Sequence, residues 1–174
     1  MPKIIENIRE KLLVEAKRQV MEQGYSSMTI RSVASACGVG VGTVYNYFDS
    51  KDMLVANFML EDWLVCLKAI EEGCNVQNGV EDAMSCIYEE LHCFMEKYAS
   101  LFSDKDAEEN SSSSLHQRHG LLRAQLAKPL LPFCEKQNRV EAQFLAEFVA
   151  EALLAWTRSE HTFEEIKSIL LQLF

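Results

Sequence analysis

"CGVGVGTVYNYFDSKD", residues 37–52, sets three of the chain's seven glycines at positions 38, 40 and 42 and follows them with two tyrosines flanking an asparagine. Glycines at this spacing serve two different chemistries. A phosphate-cradling loop lets backbone N–H groups approach an anion, whereas a glycine turn between two short helices lets the second enter the major groove of DNA. The phosphate loop needs a strand before it and a fixed pattern, G-x-G-x-x-G or a run ending in G-K-[ST]. Here position 43 is Thr, no Lys follows directly, and the preceding "TIRSVASAC", residues 29–37, has helical spacing. A nucleotide-binding enzyme using Gly38–Gly42 is the remote alternative, and a strand ahead of Gly38 would be its mark.

The helical reading accounts for more residues. Ile30, Val33, Ala34 and Cys37 share a face, Thr29 stands where an N-cap belongs, and Gly38 is the stop. In "GTVYNYF", residues 42–48, Val44 and Phe48 lie one turn apart, which predicts a helix of about two turns buried on that side. Val39 would plug the angle between the two helices. Val41, Gly42, Tyr45 and Asn46 then face outward. Upstream, Ile5, Ile8, Leu12, Ala16 and Val20 predict an amphipathic helix over residues 4–23, ended by Gly24.

Downstream, Ser50 caps a helix that Leu54, Phe58, Met59, Trp63, Cys66, Leu67 and Ile70 carry to about Glu72, with "GCNVQNG" as the break. Ala83, Ile87, Leu91, Phe94, Tyr98 and Phe102 predict another helix over 80–103, and "SDKDAEENSSSS", residues 103–114, reads as an exposed loop. Residues 114–136 look helical but hold Pro129 and Pro132, so a kink or break is expected. The chain ends in two helices. The first has apolar residues at 144, 145, 148, 149, 152, 153 and 156, too wide a stripe for one contact face, and "FEEIKSILLQLF" follows.

Three prolines and seven glycines in 174 residues leave little for a turn-rich β fold, and the predominance of helix formers predicts an all-α architecture. The net charge is -9, yet residues 1–55 sum to +1 and the remainder to -10. An anion such as DNA meets less repulsion at the N-terminal third. The N-terminus lacks the apolar run of a secretion signal and no window approaches a membrane span, so a cytoplasmic protein with reduced cysteines and no membrane partner is expected. Cys86 and Cys93 are seven apart on one helix face, about 10 Å along the axis, too far for a bridge within the helix. His116 and His119 are three apart with no third ligand in view, so neither a metal nor another cofactor is expected. No Ser/His/Asp or paired-carboxylate constellation points to an enzyme.

"LLVEAKRQVMEQGYSSMTIRSVASACGVGVGTVYNYFDSKDML", residues 12–54, resembles the DNA-binding domain of the TetR family of transcriptional regulators throughout its length. The match takes in the Gly-Tyr after helix one, the Thr-Ile-Arg entry to helix two, the Gly-Thr-Val-Tyr-x-Tyr-Phe recognition helix and the Ser-Lys start of helix four. The resemblance implies a helix-turn-helix DNA-binding domain over residues 1–49 and a helical regulatory and dimerisation domain over 50–174. It implies that Arg31 reaches a base or phosphate, that Thr43, Tyr45 and Tyr47 hold the DNA backbone, and that Lys51 contacts a phosphate, all positioning chemistry. Base reading falls to positions 41, 42 and 46. The position of Gly40 is more often a capping residue and that of Val41 a polar one. Val41 suits a thymine methyl and Asn46 an adenine, while Gly40 and Gly42 either allow close approach to the groove or merely loosen the helix.

The resemblance further implies a homodimer through the last two helices, with Phe148, Ala152, Ala155, Trp156 and Leu170 as candidates, unless these are internal core. An effector pocket would take Trp63, Phe94, Tyr98, Phe102 and Phe133, for which ordinary core is again the alternative. The implied function is a repressor that binds a palindromic operator and is released when a small molecule moves helix four. Control by a protein partner is the rival.

Overall fold

The computed structural model describes residues 7–74, 78–102, 112–136, 141–157 and 159–174, with Phe102 and residues 112–118 as backbone only. These residues form helices α1 (Ile8–Gln23), α2 (Ile30–Ala36), α3 (Val41–Tyr45), α4 (Lys51–Gly73), α5 (Val80–Lys97), α6 (Ala99–Phe102), α7 (Ser112–Lys136), α8 (Ala142–Trp156) and α9 (Phe163–Leu171), with no strand among them. The all-α expectation holds. The chain divides into two compact units, residues 1–62 with 98–112, and residues 63–97 with 113–174.

In the first unit α1 turns its Leu12, Leu13, Ala16 and Val20 face inward, where Val33 and Ala34 of α2, Val44, Phe48, Leu54 and Phe58 are also buried. Each such Leu, Val or Phe side chain contributes roughly 1.5–3 kcal/mol of burial. At the rim, Arg9 holds Glu61 and Asn57 at 2.9 Å each, its guanidinium 5.7 Å from the Phe48 ring centre. Lys17 donates to Asp62 at 2.7 Å, and the same carboxylate accepts the Tyr98 hydroxyl at 2.6 Å. Burial, followed by that carboxylate, pushes the Tyr98 phenol well above its ordinary range, so it stays a donor.

Tyr98 also corrects a boundary. The 80–103 helix ends at Lys97 and α6 resumes at Ala99; between them Tyr98 stacks on Phe58 at 6.3 Å and bonds Asp62. The expected loop over 103–114 lies outside the described residues up to 111, and Ser112–Ser114 already belong to α7. α7 runs unbroken through Pro129 and Pro132, held by Leu126, Ala127, Leu130, Phe133 and Cys134, all buried. α3 is five residues rather than two full turns. In the second unit the core gathers Trp63, Ile70, Met84, Ile87, Leu91, Leu126, Leu130, Val149, Leu153 and Ile166.

Candidate nucleic-acid interface

Two caps set the angle on which the site depends. Thr29 and Ser32 exchange hydrogen bonds, the Ser32 N–H donating to Thr29 Oγ1 at 3.0 Å and the Thr29 N–H to Ser32 Oγ at 3.1 Å, which satisfies the open start of α2. At its other end Gly38 takes the left-handed conformation, φ 69°. The Gly38 N–H then donates to Ser35 O at 3.1 Å and the Val39 N–H to Ala34 O at 3.0 Å, the paired closure of a Schellman motif. The chain leaves α2 sharply and enters α3, where the Thr43 N–H donates to Gly40 O at 2.9 Å. The segment ahead of Gly38 is thus helix rather than strand, which removes the framework of the nucleotide-loop alternative.

Val44 is fully buried and Phe48 nearly so; they anchor α3. Val41 (36% exposed), Tyr45 (50%) and Tyr47 (47%) face out, as do Gly42 and Asn46, while Thr43 is half-buried. Arg31, Val41, Tyr45 and Lys51 line one open groove of about 420 Å³ together with Ser26, Met28, Thr29 and Ile30. Two cations, three hydroxyls and an apolar wall suit phosphate oxygens beside a deoxyribose or base edge. Gly40, Gly42, Thr43, Asn46 and Tyr47 are not among the groove's lining residues.

Tyr25 is the residue that spacing alone does not reveal. Its ring lies 3.9 Å from the Lys51 ammonium and its hydroxyl donates to Asp52, so the start of α4 is fixed against the turn after α1. An ammonium over an aromatic face gains about 0.5–1 kcal/mol at an exposed site. The Gly24-Tyr25 pair was visible in the sequence, but its partner 26 residues on was not.

The remaining candidates scatter. Trp63 and Phe94 meet edge to face at 5.4 Å, the Trp63 indole N–H donating to Gln125 Oε1 at 2.9 Å, and Phe133 is buried in the same unit. Tyr98 belongs to the other unit, and the Phe102 side chain lies outside the described residues. On α8, Leu145, Ala146, Val149, Ala150 and Leu153 are buried, Ala152 and Trp156 half-buried, and Ala155 exposed. Phe148 (50% exposed) stacks at 6.4 Å on Phe144 (69%), a member of the apolar stripe outside the dimer candidates. Leu170 is 1% exposed inside its own unit, so its α9 face is taken and it is not available to a second chain. His119 Nε2 pairs with Glu151 at 2.7 Å, and the His116 side chain lies outside the described residues.

Residues 12–57 match the family described as bacterial regulatory proteins, tetR family. Over 51 residues the chain is 37% identical to the HTH-type transcriptional regulator HbdR of Aromatoleum sp. (strain CIB); the match takes in 29% of this chain and 22% of that protein. Among solved structures, superantigen PfiT is similar at TM-score 0.62 and 23% identity over 96% of each chain. The TetR family repressor AlkX of Dietzia sp. Strain DQ12-45-1b is similar at TM-score 0.57 and 15% identity, over 96% of this chain and 97% of that one. The fatty acid degradation regulator FadR of Bacillus halodurans is similar at TM-score 0.54 and 18% identity, over 95% and 93%. At these identities the structural likeness is one of fold.

Proposed function

The chain belongs to the TetR family of transcriptional regulators through its residues 12–57, and from that premise we propose that it is a repressor, binding a palindromic operator as a homodimer and released by a small-molecule effector. The observation that carries the reading is α3, anchored by Val44 and Phe48 and turned outward at Val41, Gly42, Tyr45 and Asn46. Residues 1–49 act as the DNA-binding domain and 50–174 as the regulatory and dimerisation domain, in a cytoplasmic protein without catalytic activity. No helix among the described residues is long and apolar enough to cross a membrane. Arg31, Tyr45 and Lys51 hold phosphates around the groove, Thr43 and Tyr47 add backbone contacts, Val41 meets a thymine methyl and Asn46 an adenine. An effector in the second unit, near Trp63, Phe94 and Phe133, acts by its differential affinity for two settings of α4. The closely packed Trp63, Phe94 and Gln125 favour a second reading, in which a protein partner supplies that control.

The test is binding to fragmented DNA from the source organism, followed by a salt series on any enriched fragment. A palindromic site with steep salt dependence is expected, and Lys51→Ala with Tyr47→Ala should weaken binding and reduce the logarithmic salt slope by about 1. Absence of any enriched palindrome would refute the operator reading. Release of the bound site by a low-molecular-weight extract supports the effector, and release by the protein fraction alone supports the partner.

A further inference from the structure

Cys74, just past the end of α4, and Cys86, on α5, are neighbours within the second unit, and we propose that they form a thiol–disulfide site oxidised by low-molecular-weight disulfides of the glutathione class. Three features place the sulfurs together. The two thiols are near enough for each to shift the other's proton affinity. Cys74 Sγ also lies 3.6 Å from the carbonyl oxygen of Ala83, one turn before Cys86. The third is Gly73, where a methyl group would collide with Cys86 Sγ. Gly73 lies in the last turn of α4 without a positive φ, so its backbone gives no reason for a glycine that costs roughly 0.5–1 kcal/mol in a helix. What a side chain there would meet is the Cys86 sulfur.

Both thiols are half-buried and within reach of a small reagent, whereas Cys66 and Cys134 are buried, Cys37 lies in the first unit, and Cys93, though exposed, is too far along α5 to bridge to Cys86. Burial, then the contact with Cys86, pushes the Cys74 thiol up to about 12. Burial and the Glu90 and Glu89 carboxylates raise Cys86 as well, but the neighbouring Cys74 thiol works against that rise. In the proposed exchange Cys86 is the attacking sulfur and Cys74 the resolving one. Cys86 loses its proton to solvent and attacks one sulfur of the external disulfide, giving a mixed disulfide and releasing one thiolate. Cys74 then loses its proton, attacks the Cys86 sulfur and expels the second thiolate. Two protons and two electrons leave the pair, and the external disulfide becomes two thiols. Because both groups are protonated at neutral pH, exchange is slow there and accelerates as pH rises.

The full-length protein is equilibrated anaerobically in reduced and oxidised glutathione mixtures, acid-quenched, alkylated and analysed by mass spectrometry. The wild type should lose two of its six alkylatable thiols in one step and yield a Cys74–Cys86 cross-linked peptide. Cys74→Ser should accumulate the glutathione adduct on Cys86, and Gly73→Ala, which displaces that sulfur, should shift the midpoint toward more oxidising mixtures. Circular dichroism confirms that the variants are folded. Retention of all six thiols at the most oxidising ratio, or a cross-link that joins Cys66 to Cys93 or Cys86 instead, overturns the assignment. None of these readouts depends on operator binding.

Discussion

Gly38 and Gly42 stand four residues apart and are glycine for different reasons. Gly38 needs φ 69°, a conformation that costs an L side chain roughly 1 kcal/mol or more, so the Schellman closure of α2 depends on it. Gly42 is helical, and a methyl added there would meet nothing within 4 Å. Nothing in the fold requires it. Gly40 is similar, at φ -73° with only Thr43 Oγ1 near its absent methyl. Gly42→Ala should accordingly raise stability by about 0.5–1 kcal/mol, read as a higher urea midpoint at unchanged slope. It should at the same time weaken operator binding, because the new methyl stands on the exposed surface of α3. If stability rises and operator affinity is unchanged, glycine there serves no close approach and merely loosens the helix.

An α3 of five residues is too short to stand alone, since an isolated helix below about 12 residues is marginal in water. It is held by Val44 beneath it and Phe48 after it. Val44→Ala removes two buried methyl groups and should cost about 2 kcal/mol by transfer and cavity together, measured by denaturant unfolding. Operator affinity should fall with it although every outward residue is untouched, and an unchanged affinity would mean that α3 needs no anchor to read DNA. The same pair explains what could be read beforehand. Apolar residues one turn apart declared the buried face of α3, and by elimination the face left for DNA. Thr29 and Gly38 declared both ends of α2, because capping is local chemistry. What local pattern could not declare was tertiary: the Lys51–Tyr25 contact, the Tyr98–Asp62 bond just past the end of α5 at Lys97, and the unbroken α7 across two prolines. On α9 the resemblance named Leu170 as a dimer candidate without saying whether its own core or another chain would fill the space.

At the scale of the molecule, charge and symmetry bear on the same question. With residues 1–55 at +1 and the rest at -10, one copy offers DNA only a small favourable patch, and two patches at fixed separation gain much more than one. On the proposed dimeric reading, pairing of two copies is therefore where operator affinity is most easily lost. Phe144 and Phe148 form a stacked, exposed aromatic pair on α8, one turn apart, beside a buried face that already serves the core of its unit. In a two-fold interface any substitution is present twice, and two like charges brought together are doubly unfavourable. Phe148→Asp should leave the melting temperature nearly unchanged, because the side chain is half exposed, yet convert the protein to monomer in sedimentation at micromolar concentration. Binding to a palindrome should then fall toward that of a single half-site, with a shallower salt dependence. A variant that stays dimeric would move the interface off this face of α8, whereas a monomer that keeps full affinity for the palindrome would mean that two copies are not needed to hold the operator.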